Sequence, residues 1–128
     1  MKSAIGIDIV EIKRLQKSSK RWGKAFLNKV YTARELKYSY AKRFPYQHLA
    51  ARFAAKEAIF KALGEVETDF VGWKNIEILN DASGKPAIHW HGQAERVRKK
   101  RKIRQVVVSL SHTENYAVAS ALLLFGGR

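Results

Sequence analysis

Five charged side chains have types and spacing that could do chemistry: Asp8, Arg52, Lys56, Glu57 and Lys61. The last four fall within Arg52 to Gly64, which reads as the second half of one helix. Arg52 and Lys56 are ridge neighbours at i, i+4, and so are Glu57 and Lys61. Two cations, a carboxylate and a third cation on such a helix resemble the wall of a polyanion site. A solvated face with one Glu–Lys pair explains the same residues equally well. Asp8 stands in the middle of an apolar strand, and carboxylates are rarely buried unless paired or bound to a metal. It is a ligand candidate or a cap for the next helix. Glu11 is already available for capping, which favours the ligand reading.

The elements that must hold these groups follow from periodicity and punctuation. Ser3 to Val10 reads as a strand, with Ile5, Ile7 and Ile9 on one face and Gly6, Asp8 and Val10 on the other. From Glu11 to about Lys24 the pattern is helical. Ile12, Leu15, Ser19 and Trp22 form its inner stripe, and Lys13, Lys17, Lys20 and Lys24 an outer ridge flanked by Arg14 and Arg21. Phe26 to Tyr31 is a short closing element, and Thr32-Ala33-Arg34-Glu35 is a capping box that opens a helix through about Tyr40. The next helix starts near Pro45 and stops before Gly64, a natural residue just past a helix end. Its Ala51, Ala55, Ala58 and Ala62 give one small-residue face, which allows close approach to another backbone and predicts packing on a sheet.

Further along, Glu65 to Gly72 is acidic and reads as a loop, and Trp73 to Asn80 as a strand. Asp81 to Pro86 is a turn, Ala87 to Trp90 the returning strand, and Gln93 to about Arg101 a short helix. A run of cations from Arg96 to Arg104 follows the start of that helix. Val106 to Ser111 and Tyr116 to Phe125 are strands joined through Ser111-His112-Thr113-Glu114-Asn115. A lone histidine such as His112 is more often structural than catalytic.

The 128 residues suit one domain, and the absence of cysteine excludes disulfides and thiolate chemistry. No apolar run approaches membrane-spanning length, and Asp8 interrupts the N-terminal run where a signal peptide would stay apolar. A cytoplasmic protein with no membrane association is expected. The formal charge of +14 points to an acidic partner. The first 43 residues carry twelve of the basic side chains against Asp8, Glu11 and Glu35, a concentration that favours a docking surface.

Taken in order, Gly6-Ile7-Asp8-Ile9-Val10-Glu11, Arg52-Phe53-Ala54-Ala55-Lys56-Glu57-Ala58 with Lys61, Gly84-Lys85-Pro86 and Ser109-Leu110-Ser111-His112-Thr113 resemble the signature of the holo-[acyl-carrier-protein] synthases. These are the small bacterial 4′-phosphopantetheinyl transferases, and the resemblance runs from Ile5 to about Leu123. It implies an α+β fold, an antiparallel sheet packed on a long central helix. A single 4′-phosphopantetheinyl transferase domain would span residues 1–128 and form a homotrimer with active sites between subunits. It implies Mg²⁺-dependent transfer of 4′-phosphopantetheine from coenzyme A to a serine of apo acyl carrier protein, releasing adenosine 3′,5′-bisphosphate and supporting fatty acid biosynthesis.

By the same resemblance Asp8 and Glu57 hold the metal, and Lys61 stabilises charge on the transferring phosphoryl group. Glu57 is the first candidate for general base, and His112 sits near the coenzyme. Arg52, Lys56, Lys61, Gly84, Lys85, Pro86, His112 and Thr113 are expected to contact coenzyme A. Arg14 and Arg21, with Lys13 and Lys17, would dock the acidic carrier. Two stretches depart from the pattern. The acids of Glu65 to Asp69 do not suit the glycine-rich loop of many relatives, and the cations of Arg96 to Arg104 exceed what the family requires. A competing reading is a small basic RNA-binding or ribosome-associated α+β module; for the transferase, nucleic-acid binding would be only non-specific.

Overall fold

The computed structural model describes residues 2–64 and 71–126. The chain runs β1 (Ser3–Glu11), α1 (Ile12–Val30), α2 (Ala33–Tyr40), α3 (Pro45–Leu63), a 3₁₀ turn (Trp73–Asn75), β2 (Ile76–Asn80), β3 (Pro86–Trp90), α4 (Gly92–Lys100), β4 (Ile103–His112) and β5 (Tyr116–Phe125). An antiparallel sheet in the order β1-β5-β4 carries α3 on one face, and β2 and β3 form a separate antiparallel hairpin. Nearly all of the acidic stretch after Gly64, residues 65–70, lies outside the described residues.

The alanine face of α3 is what the helix turns toward the sheet. Ala51, Ala55, Ala58 and Ala62 are all buried. The last two meet β1 at Gly6, where a Cβ would lie 1.9 Å from the Ala58 carbonyl oxygen and 2.8 Å from the Ala62 nitrogen. Only glycine fits there. This contact chooses which face of β1 points inward. Gly6, Asp8 and Val10 turn toward α3, while Ile5, Ile7 and Ile9 stand 73%, 62% and 65% exposed on the opposite face. β5 alternates in the same sense, burying Ala117, Ala119, Ala121 and Leu123 and leaving Val118, Leu122 and Leu124 on the outer side.

Several boundaries differ from the sequence expectation for local reasons. Helix α1 breaks at Gly23, whose φ of 59° and ψ of −140° are open to glycine but costly to other residues, and Phe26 to Val30 continue as its second limb. At the end of the first limb Trp22 is 59% exposed instead of joining Ile12, Leu15 and Ser19 in the core, and the Arg21 guanidinium lies 4.9 Å from its ring centroid. The capping box at Thr32 forms in both directions. The strand expected from Trp73 begins only at Ile76, because the 3₁₀ turn occupies Trp73–Asn75.

A charged network ties α2, α3 and β2 together inside the molecule. Lys56 is wholly buried, and its ammonium donates to Glu35 Oε1 at 2.8 Å and to the carbonyls of Trp73 and Ile76 at 2.9 Å each. Glu35, equally buried, also accepts from the backbone N–H groups of Thr32 and Ile78. Glu77 accepts from Thr32 Oγ1 at 2.5 Å, from Arg34 Nη2 at 2.6 Å and pairs with His91 at 3.0 Å. Burial works to raise the Glu77 pKa, but hydrogen bonds from Arg34, Thr32 and His91 and the Arg34 charge outweigh it and hold the carboxyl at about 2.

Candidate active site

Asp8 and Glu57 line one cleft of about 620 Å³, between β1, α1 and α3. Asp8 reaches it because β1 turns its Gly6 face to the helix, and Glu57 because it follows Lys56, which is anchored in the core. Lys61, one turn beyond Glu57, donates to Asp8 Oδ1 at 2.9 Å and to the Ile7 carbonyl at 3.0 Å. Partial burial raises the Glu57 pKa, the Asp8 carboxylate raises it further, and Lys61 opposes both. Two carboxylates that repel each other in an open cleft have the oxygen-donor chemistry of a magnesium site, and Mg²⁺ commonly takes only one or two protein carboxylates. Arg14 and Phe53 also line the cleft, so the cationic face of α1 meets the acids at its rim. Lys13, Arg14, Lys17 and Arg21 are all exposed.

A second group of candidates gathers elsewhere. Arg52 donates from Nε to the Ile78 carbonyl at 3.1 Å and from Nη2 to Asn80 Oδ1 at 2.6 Å. Asn80 in turn donates to the Gly84 carbonyl at 2.9 Å, so the guanidinium is tied to the turn that carries Gly84, Lys85 and Pro86. Asp81 shapes that turn by accepting from the Ser83 and Lys85 N–H groups. His112, exposed at the end of β4, has its ring centroid 6.5 Å from that of His48 on α3. Thr113 Oγ1 accepts from the N–H groups of Asn115 and Tyr116 and so closes the β4–β5 turn.

Lys56 does not join either group. With no exposed surface and three hydrogen bonds on its ammonium, it is a core tether and not the open phosphate ligand expected from the sequence. The i, i+4 spacing with Arg52 is real, but it leads inward. Sequence reasoning also passed over His48 and Tyr38. Their signal was present: His48 is i, i+4 from Arg52, and Tyr38 lies 4.2 Å from the Arg52 guanidinium in a cation–π contact.

The α+β fold carries these two acids in one cleft, and comparison with known proteins assigns the class. Residues 4–121 match the model of the 4′-phosphopantetheinyl transferase superfamily, and the chain belongs to that family. Among its relatives, the holo-[acyl-carrier-protein] synthase of Chlorobaculum parvum is 47% identical over 119 residues, covering 93% of this chain and 96% of the relative. The crystal structure of holo-[acyl-carrier-protein] synthase from Neisseria meningitidis superposes with a TM-score of 0.87 at 35% identity, over 94% of this chain and 97% of that one. The Helicobacter pylori holo-[acyl-carrier-protein] synthase in complex with coenzyme A gives 0.82 at 28% identity, over 94% and 99%.

Proposed function

We propose that this chain is a holo-[acyl-carrier-protein] synthase that transfers 4′-phosphopantetheine from coenzyme A to a serine hydroxyl of an apo acyl carrier protein. The observation that carries the reading is the shared cleft of Asp8 and Glu57, with Lys61 on Asp8 and Arg14 at the rim. The serine oxygen forms a bond to the phosphorus that bears pantetheine. The bond from that phosphorus to the bridging pyrophosphate oxygen breaks, and adenosine 3′,5′-bisphosphate leaves. Glu57, its pKa raised by partial burial, takes the serine proton. Lys61 places its charge beside the transferring group. A Mg²⁺ held by Asp8 and Glu57 would supply charge neutralisation at the phosphate oxygens.

The two half-sites support an assembly. Arg52 and Glu57 are separated by roughly 140° around the axis of α3, so one chain aims Arg52 away from its own acids. Sites between neighbouring copies would bring them together. The exposed Ile5, Ile7 and Ile9, continued by Val118 and Leu122 across the β1–β5 register, are an apolar face suited to burial against those copies. A homotrimer is the assembly inferred. The cationic ridge of α1 would steer the acidic carrier to the cleft. No described helix is long and apolar enough to cross a membrane, and we place the enzyme in the cytoplasm, serving fatty acid biosynthesis. The family and its relatives give the RNA-binding alternative no support.

Intact mass spectrometry of an apo carrier incubated with the protein, coenzyme A and Mg²⁺ tests this function. One phosphopantetheine added, absent with chelator and absent with Glu57→Ala, is the expected result. No mass gain with several carriers, from a folded enzyme, would overturn it.

A further inference from the structure

Beside Arg52 and His112 lies a cluster that the carrier-and-coenzyme reading leaves without a task. The His48 ring on α3 meets the Tyr38 ring of α2 edge-on at 5.8 Å between centroids and the His112 ring of β4 at 6.5 Å. Lys42 Nζ lies 4.6 Å and the Arg52 guanidinium 4.2 Å from the Tyr38 centroid. Three basic groups, Lys42 from the segment after α2 and His48 and Arg52 from α3, therefore lie around the Tyr38 ring, and His112 of β4 joins them through His48. The groups acting on His48 are burial, then Arg52, Lys42 and His112, and every one of them opposes its protonation. Glu35 acts on Arg52 from the core.

Such an arrangement disfavours its own charge until an anion arrives. Arg52 is already fixed by Ile78 and Asn80, and His48 is held by Tyr38, so the donors need little ordering when an anion binds. Coenzyme A brings two kinds of phosphate. The pyrophosphate must reach the acids and Lys61, which leaves the phosphate monoester on its ribose for the cationic cluster around His48. We propose that His48 is a specificity-determining residue for that terminal phosphate monoester, donating a ring N–H to it alongside His112, with the buried Arg52 adding its charge from behind. The inference rests on the transferase reading, and its new element is His48, with Lys42 and Tyr38 as its setting. Because the imidazolium is the stronger donor to a dianion, the bound phosphate raises the His48 pKa. Recognition is then fully present at low pH and lost as pH rises through the bound-state value.

The test compares coenzyme A with 3′-dephospho-coenzyme A as substrates, and adenosine 3′,5′-bisphosphate with adenosine 5′-monophosphate as ligands by calorimetry, at about pH 6 and about pH 8. His48→Phe keeps the ring packing, and His48→Gln keeps a donor that does not titrate. In the natural protein, preference for the extra phosphate should grow at the lower pH. His48→Phe should lose about tenfold to a hundredfold in that preference, the scale of one hydrogen bond to a charged group, through KM and with dephospho-coenzyme A unaffected. His48→Gln should retain part of the preference but flatten its pH dependence. A folded His48→Phe with undiminished preference at both pH values overturns the proposal. If no coenzyme supports transfer, the transferase reading fails, and the calorimetric comparison still decides the role of His48. Equal binding of the two nucleotides by the natural protein would count against it there.

Discussion

Lys56 and Glu57 are consecutive in the chain, yet they live in opposite electrostatic regimes. Lys56 has every ammonium hydrogen engaged, by Glu35 and two carbonyls, with no surface exposed to solvent. Glu57 faces a cleft, makes no comparable set of bonds among the described residues, and feels a second carboxylate at Asp8. Saturated charges hold a fold; a charge left short of partners is available to a ligand. α3 performs both tasks because one helical step of about 100° swings adjacent residues to different surroundings.

Removing each side chain in turn separates the two regimes. Lys56→Ala should cost about 3–5 kcal/mol of stability, because it strands the buried Glu35 carboxylate, and urea unfolding would show it. A loss below about 1 kcal/mol would mean the network is not saturated as described. The other buried acid gives a pH signature. Glu77 stays ionised in the folded protein to about 2, whereas an ordinary glutamate protonates near 4.5, so its stabilisation is present above 4.5 and lost as pH falls toward 2. That limb of the acid unfolding curve amounts to about 3 kcal/mol and should vanish in Glu77→Gln.

Gly6→Ala forces a methyl against the Ala58 carbonyl and should cost about 1–3 kcal/mol, with transfer reduced further because Asp8 moves relative to Glu57. Arg14→Ala should weaken carrier binding by about tenfold and reduce its salt dependence while leaving coenzyme A binding unchanged; equal loss for both substrates would count against separate surfaces. The smallest effect on stability is at Glu57. Its raised pKa means that the ionised form is disfavoured in the folded chain above that pKa. Glu57→Gln should therefore leave stability at neutral pH unchanged or higher by less than about 1 kcal/mol, while abolishing transfer.

Much of this arrangement is legible in the sequence, and the misses have a common cause. The alanine face of α3, the capping box at Thr32, the stop at Gly64 and the start of the last strand at Tyr116 are local signals, and local physics reproduces them. Asp8 and Glu57 could be matched to a motif, but their meeting depends on β1 turning its Gly6 face inward. Alternation alone does not say which face that is. Lys56 was misjudged because a lysine at i, i+4 from an arginine looks the same outside or inside a protein. Only the positions of Glu35, Trp73 and Ile76, brought from other elements, show that it points inward. His48 was missed for the converse reason, since Tyr38 and His112 approach it only in the folded chain.

The Gly6 contact has one more consequence. Where β1 crosses α3, main chain lies against main chain, with no side chain between to change rotamer or compress. Packed interiors have low compressibility and transmit strain, and a seam without side chains leaves little void for pressure to remove. The separation between the strand that carries Asp8 and the helix that carries Glu57 is therefore a property of the backbone. It should stay constant under hydrostatic pressures that distort softer parts of the molecule.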